Sequence, residues 1–214
     1  MVRHAQSGRQ AAAAPHERTG RPTEPVPACA PHARSEPMPL IDPARSLLLI
    51  IDVQVRLMPV IADGAGILAN TGRLAAAAHR LDVPILVTEQ NAGGLGPTVP
   101  ELAPEPGTAF PKMSFSATRT PGFLERLPAD RDLVVTGCEA HICVLQTVLG
   151  LLEAGRRACV VCDAVGSRQT ESRAAALTRM AAHGAEIVTT EMVVFEWLGT
   201  ARHPRFREIV TLIK

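Results

Sequence analysis

The sequence predicts a doubly wound α/β domain with a six-stranded parallel sheet and helices on both of its faces. Short β-rich apolar runs alternate with longer stretches of helical period, the order that builds parallel βαβ units rather than a sandwich or a bundle. The run Leu47-Leu48-Leu49-Ile50-Ile51 is apolar throughout, as a strand covered on both faces requires. A chain of 214 residues, 46% hydrophobic and 20% charged, can bury one sizeable core and is too short for two full-sized domains.

In chain order, residues 1–38 stand apart. They are rich in Ala, Pro, Arg and His, show no apolar period, and carry five Arg against three Glu. They read as a disordered tail, and the repeated Pro argues against the amphipathic helix of a transit peptide. Met38 is a candidate natural start, with the domain occupying residues 39–214. Strands are expected over Ser46 to Asp52, Pro84 to Thr88, Phe110 to Lys112, Asp132 to Thr136, Ala158 to Cys162 and Glu186 to Thr189. Helices are expected over Ile67 to Arg80, Pro121 to Leu127, His141 to Ala154 and Thr170 to His183, with one or two more between Val193 and Leu212. Pro111 cannot donate to a ladder, which confines the third strand to an edge or a strand end. Exposed apolar residues near Phe195, Trp197 and Leu198 form either a subunit contact or core packing.

Composition narrows the partners. Lys and Arg total 22 and Asp and Glu 21, a formal net charge of +1, so there is no basic field for nucleic acid or an anionic membrane. Aromatics make up 3%, with no Tyr, which removes the stacking platforms of single-strand binders. No apolar stretch reaches the about 18 residues of a membrane span. A small-molecule partner is therefore expected. Five cysteines, an odd number without disulfide-module spacing, fit reduced thiols in a cytoplasmic protein. Cys159 and Cys162 would point to opposite faces of their strand and read as structural rather than as metal ligands.

Ligands of an open parallel sheet bind beyond the carboxyl ends of its strands, near the point where strand order reverses. The residues expected there are Asp52, Glu89-Gln90-Asn91, Lys112, Gly137 to Cys143, and Asp163. Asp52 ends five aliphatic residues, where a charge needs a partner, a capping role or a function. Lys112 is one of two lysines in the chain and is either an exposed strand-end residue or a compact cation beside a thiolate or carboxylate. Cys143 falls at a helix start, where free N–H groups and the helix dipole stabilise a thiolate. As a lone cysteine it also fits a buried core position. The N–H groups of residues 139–143 are placed to bind an oxyanion. His141, two residues before Cys143, suggests a Cys/His dyad or a ring at the pocket edge. Glycines 93, 94 and 96 form a mobile loop bordering the pocket, without the spacing of a phosphate-binding loop.

Three stretches together, Leu48-Leu49-Ile50-Ile51-Asp52-Val53-Gln54, Pro111-Lys112-Met113-Ser114-Phe115-Ser116 and Val135 to Thr147, resemble the isochorismatase-like cysteine hydrolase superfamily, over about Pro39 to Lys214. Thr88-Glu89-Gln90, Gly94 to Thr98 and His203-Pro204-x-Phe206 look like the branch of isochorismatase-domain proteins and related bacterial hydrolases. The resemblance implies a Rossmann-like sheet in which Cys143 attacks a carbonyl, Asp52 carries the proton and Lys112 holds the thiolate. It also implies a cis peptide between Cys138 and Glu139 that aims N–H groups at the oxyanion. Gln54, Glu89, Gln90, Phe115 and His141 are the expected pocket lining. Relatives that bind a divalent metal do so through histidines after the second strand; Glu89 to Gly94 contains none, so neither a metal nor another cofactor is expected. The implied activity is cysteine-dependent hydrolysis of a small amide or carbamoyl compound through a thioester, in a homo-oligomer. The alternatives are vinyl-ether hydrolysis and a non-catalytic oligomeric scaffold that keeps the triad.

Overall fold

A computed structural model describes residues 40–214; the tail assigned to residues 1–38 and Cys29 lie outside the described residues. Six parallel strands form one sheet: β1 (Ser46–Ile51), β2 (Ile85–Gln90), β3 (Phe110–Lys112), β4 (Asp132–Cys138), β5 (Ala158–Gly166) and β6 (Glu186–Val188). Their spatial order is β3-β2-β1-β4-β5-β6. The chain therefore winds outward from β1 to β3, crosses back, and continues from β4, so strand order reverses between β1 and β4.

Every residue of β1 is buried. Leu48 and Ile50 face one core, and Leu47, Leu49 and Ile51 face the other. At about 2 kcal/mol per buried aliphatic side chain, this strand contributes on the order of 10 kcal/mol gross before the entropy of ordering is set against it. One core is closed by α1 (Gly64–Arg80) and, from the chain's end, by two further helices over Thr190–Leu198 and Phe206–Val210. The opposite core is closed by helices over Leu145–Glu153 and Thr170–Ala182. With the short turn α2 (Ala92–Leu95), these are α3 (Leu145–Glu153), α4 (Thr170–Ala182), α5 (Thr190–Leu198) and α6 (Phe206–Val210).

Several expectations need correction. Pro121 to Leu127 is not an α-helix; only a 3-10 turn forms, at Leu124–Arg126. Gly122 takes φ +83° and Pro128 follows, leaving too few residues for a helix nucleus. The segment's apolar content goes instead into Phe123, fully buried and edge-on to Phe110 at 5.2 Å. β2 runs on to Gln90, and β5 runs past Cys162 to Gly166, so Glu89, Gln90 and Asp163 lie within strands. Trp197 and Leu198 are core residues, with the Trp197 indole N–H donating to Ser46 Oγ at 3.0 Å, the core-packing alternative for this segment, while Phe195 is exposed. The glycine loop is pinned rather than free. Val55 N and Arg56 N donate to Pro97 O and Leu95 O, both at 3.0 Å, and the Arg56 guanidinium reaches Gly94 O at 3.0 Å. β3 is the edge strand that Pro111 requires. No helix of the described residues is long and apolar enough to cross a membrane.

Candidate active site

The carboxyl ends of β1, β2, β3 and β4 bring three groups together. Asp52 follows β1 in the left-handed region, φ 51°, with its N–H donating to Thr88 O at 3.2 Å. A non-glycine residue there costs about 1–2 kcal/mol, and the turn directs a fully buried carboxylate across the sheet edge. Asp52 Oδ1 accepts the Thr88 hydroxyl at 2.7 Å, and Asp52 Oδ2 accepts the Lys112 ammonium at 2.6 Å. The Cys143 thiol and the same carboxylate act on one another electrostatically.

Lys112 closes β3, paired with Gln90 of β2. Its side chain is inaccessible, and its ammonium also donates to Ser114 O at 3.3 Å and Phe115 O at 3.2 Å. All three of its protons thus have acceptors. The loop that supplies those carbonyls is held by its own hydroxyls. Ser114 Oγ and Thr120 Oγ1 are 2.7 Å apart, Ser116 Oγ and Thr118 Oγ1 are 2.8 Å apart, and Ala117 N donates to Thr147 Oγ1 of α3 at 3.0 Å.

Cys143 arrives on a π-helical turn, Ala140–Val144, inserted between β4 and α3. Val144 N reaches back five residues to Glu139 O at 3.2 Å. The Cys138–Glu139 peptide is cis. Gly137 precedes it at φ +116°, where any side chain would overlap the Ile51 carbonyl, so only glycine lets β4 pass this close to the end of β1. The Glu139 carboxylate accepts Arg168 N at 2.9 Å and Arg168 Nε at 3.2 Å.

The electrostatics differ from the expectation of a dipole-stabilised thiolate. Burial, with the Asp52 charge second, pushes the Cys143 thiol up to about 12; Lys112 and the Glu139 N–H pull the other way and do not prevail. Cys143 is 7% exposed and does not open a regular α-helix, so the dipole argument loses to desolvation. Asp52 is also raised, by burial first, with Lys112 and the hydrogen bonds of Thr88 and Cys143 opposing. The resting site therefore holds a neutral thiol.

Of the expected lining residues, Glu89 shares with Lys112 a cavity of about 580 Å³. Its carboxylate accepts Thr98 N at 2.7 Å and Thr98 Oγ1 at 2.8 Å. Phe115 is 53% exposed beside the site and reaches it through its carbonyl. Gln54 is held inside the fold. It is fully buried, giving hydrogen bonds to Gln90 O and Gly96 O and accepting Gln90 N at 3.0 Å, a clamp between β2 and the glycine loop. Gln90 in turn reaches Met113 O at 3.3 Å. The His141 ring sits 2.9 Å from Ser167 Oγ and borders a second cavity of about 680 Å³; Cys143 is not its partner. Asp163 does not join the rim, because its carboxylate accepts Thr190 N and Oγ1 at the start of α5. Thr88 is a site residue without a motif of its own; its signal is a hydroxyl next to Val87 at the buried centre of β2, which needs a partner. Among the described residues, no group of three or more His, Cys, Asp or Glu is placed to hold a metal ion.

A doubly wound sheet with a buried carboxylate, ammonium and thiol near its switch point defines a Rossmann-like α/β protein with one polar cluster at the strand ends. The isochorismatase domain matches residues 46–192. Isochorismatase domain-containing protein 2 of Xenopus laevis is 38% identical over 171 residues, covering 78% of this chain and 83% of that protein. The structure of MAR1 ribonuclease from Caenorhabditis elegans superposes with a TM-score of 0.77 at 37% identity, covering 82% of this chain and 92% of that one. YcaC is a more distant neighbour at 25% identity. The Pseudomonas aeruginosa protein, solved with hexane-2,5-diol and covalent acrylamide, gives a TM-score of 0.72 over 83% of this chain and 93% of its own. The Escherichia coli protein, described as an octameric hydrolase of unknown specificity, gives 0.69 over 83% and 97%. The chain belongs to the isochorismatase domain family.

Proposed function

We propose that this protein is a cysteine-dependent hydrolase of a small amide or carbamoyl compound. One observation carries the reading: a single buried carboxylate, Asp52, receives the Lys112 ammonium at 2.6 Å and lies within electrostatic reach of the Cys143 thiol. In the reaction this supports, the thiol proton passes to Asp52 as sulfur attacks the substrate carbonyl, with N–H groups about Glu139 and Cys143 facing the oxyanion. Asp52 returns the proton to the leaving nitrogen as the C–N bond breaks and a thioester remains. Water then gives a proton to Asp52 and its hydroxyl to the acyl carbon; the proton returns to sulfur, the acid leaves, and Cys143 is restored.

The covalent acrylamide on the Pseudomonas aeruginosa YcaC supports uptake of an amide-bearing electrophile by this fold. The octameric Escherichia coli YcaC, together with Met113 at 71% and Phe115 at 53% exposure beside the site, supports a homo-oligomer. The ribonuclease name belongs to the neighbour; a formal net charge of +1 and the absence of Tyr give RNA little to bind in this chain.

A panel of small amides, carbamoyl compounds and vinyl ethers, assayed with Cys143→Ala and Asp52→Asn, tests the reading. Amide turnover that is lost in both variants, by about a thousandfold or more, is the expected result. Turnover surviving Cys143→Ala but not Asp52→Asn moves the assignment to vinyl-ether cleavage, and binding without turnover moves it to the scaffold.

A further inference from the structure

Arg119 stands out among the charged groups near the site. It lies on the 3-10 turn Ala117–Arg119, directly after the loop that supplies the Lys112 acceptors. The hydroxyl pairs Ser114–Thr120 and Ser116–Thr118 bracket this turn, and Ala117 N is anchored to α3, so the backbone that carries Arg119 is fixed. Yet its guanidinium makes no hydrogen bond or ion pair with any described residue. Arg119 lines both the cavity shared with Lys112 and the neighbouring one bordered by His141. The carboxylates there leave it unneutralised. Glu89 is committed to Thr98, and Glu153, in the cavity bordered by His141, forms no ion pair with Arg119. A guanidinium on a braced turn presents a fork of donors suited to a carboxylate, without the cost of breaking an existing pair.

We propose that Arg119 is a specificity-determining residue that binds an anionic group, a carboxylate by class, on the small amide hydrolysed at Cys143. The substrate is then an acidic amide or carbamoyl compound rather than a neutral one, an inference that rests on the proposed thiol chemistry. The anion docks on Arg119, beside the cavity wall formed by Lys112, while the reacting carbonyl enters between Asp52 and Cys143.

The test uses the full chain and two thiol reagents of similar size and opposite character, anionic iodoacetate and neutral iodoacetamide. Rates at Cys143 are read by peptide mass spectrometry. Arg119→Gln is expected to lower the iodoacetate to iodoacetamide rate ratio about fivefold, and the wild-type ratio is expected to fall with added salt. Arg119→Lys keeps most of the ratio, and Arg45→Gln, at the far end of β1, leaves it unchanged. An unchanged ratio in Arg119→Gln overturns the proposal. If Cys143 resists both reagents, acetate and acetamide are titrated while the Arg119 Nε–H resonance is followed. Saturable shifts with acetate alone support the proposal, and equal or absent shifts overturn it. The thiol chemistry is judged separately, by amide turnover in Cys143→Ala, so either reading fails without hiding the other.

Discussion

Replacing Lys112 with methionine isolates the electrostatic debt of the site. The Lys112 and Asp52 side chains are 0% and 1% accessible, with 2.6 Å between nitrogen and oxygen. Methionine fills the stem's volume but leaves the buried Asp52 carboxyl without its cation, with the Thr88 hydroxyl still donating at 2.7 Å. Breaking a buried pair from one side costs about 3–5 kcal/mol, and the two carbonyls of Ser114 and Phe115 lose a donor each, for roughly 1 kcal/mol apiece at most. A loss of about 4 kcal/mol in urea unfolding at neutral pH is expected, a large share of the about 5–15 kcal/mol that holds a domain together. The double variant Lys112→Met with Asp52→Asn removes both charges and should recover about half of it. The sign with pH follows from linkage. Asp52 is raised by burial, and without Lys112 it rises further, so in the window above 3.8 the folded state holds a proton the unfolded state has lost. Stability contributed by that proton is present at low pH and lost as pH rises through the folded value. The deficit of Lys112→Met should therefore shrink on acidification. A deficit below about 1 kcal/mol that stays flat from neutral pH to about pH 4.5 would refute a buried, mutually dependent pair.

Gly137→Ala should lower Tm by roughly 10 °C, because a methyl at φ +116° meets the Ile51 backbone and about 3 kcal/mol of strain has nowhere to relax; differential scanning calorimetry reads it directly. Alkaline titration should destabilise the fold. Burial raises Cys138, Cys143 and Cys159 from 9.0 to about 12, so between those values the folded state keeps protons the unfolded state releases, and stability falls as pH rises. Near pH 10.5 the loss is roughly 2 kcal/mol per thiol, and Cys159→Ala should make the urea midpoint about a third less sensitive to pH over that range.

The parts of the fold written in the sequence are those where composition leaves one physical option. Five aliphatic residues before Asp52 have to be covered on both faces, and Pro111 has to sit at an edge. Where a local signal met a tertiary partner, the sequence misled. Asp163 looks like the end of a strand because a carboxylate is costly in a sheet, but the start of α5 satisfies it and β5 continues to Gly166. Pro121 to Leu127 carries enough apolar residues for a helix face and too few residues for a helix. At the site, Asp52, Lys112 and Cys143 could be named because each stands at the end of its strand or the start of the next helix. The environment of Cys143 could not be read, because a helix dipole is visible in a sequence and desolvation is not. Gln54 had the same difficulty: its neighbours suggested a pocket, and only the spatial approach of Gln90 and Gly96 reveals a clamp.

A thiol held up to about 12 looks ill suited to nucleophilic attack, yet the cluster around it changes what that value means. In the resting site the neutral thiol stands beside the Asp52–Lys112 ion pair. Passing the thiol proton to Asp52 neutralises the carboxylate and charges the sulfur, so the buried cluster still holds one anion beside one cation. Desolvation opposes creating a charge at Cys143 by release of a proton to solvent; it opposes far less the relocation of a charge already buried. Burial raises both partners, so neither releases its proton to solvent easily, and Lys112, held by the Ser114 and Phe115 carbonyls, stays beside the negative charge as it moves. On the proposed reaction, the residue that sets the ease of attack is therefore the lysine that stays charged throughout, and the carboxylate serves as the place from which the charge is borrowed.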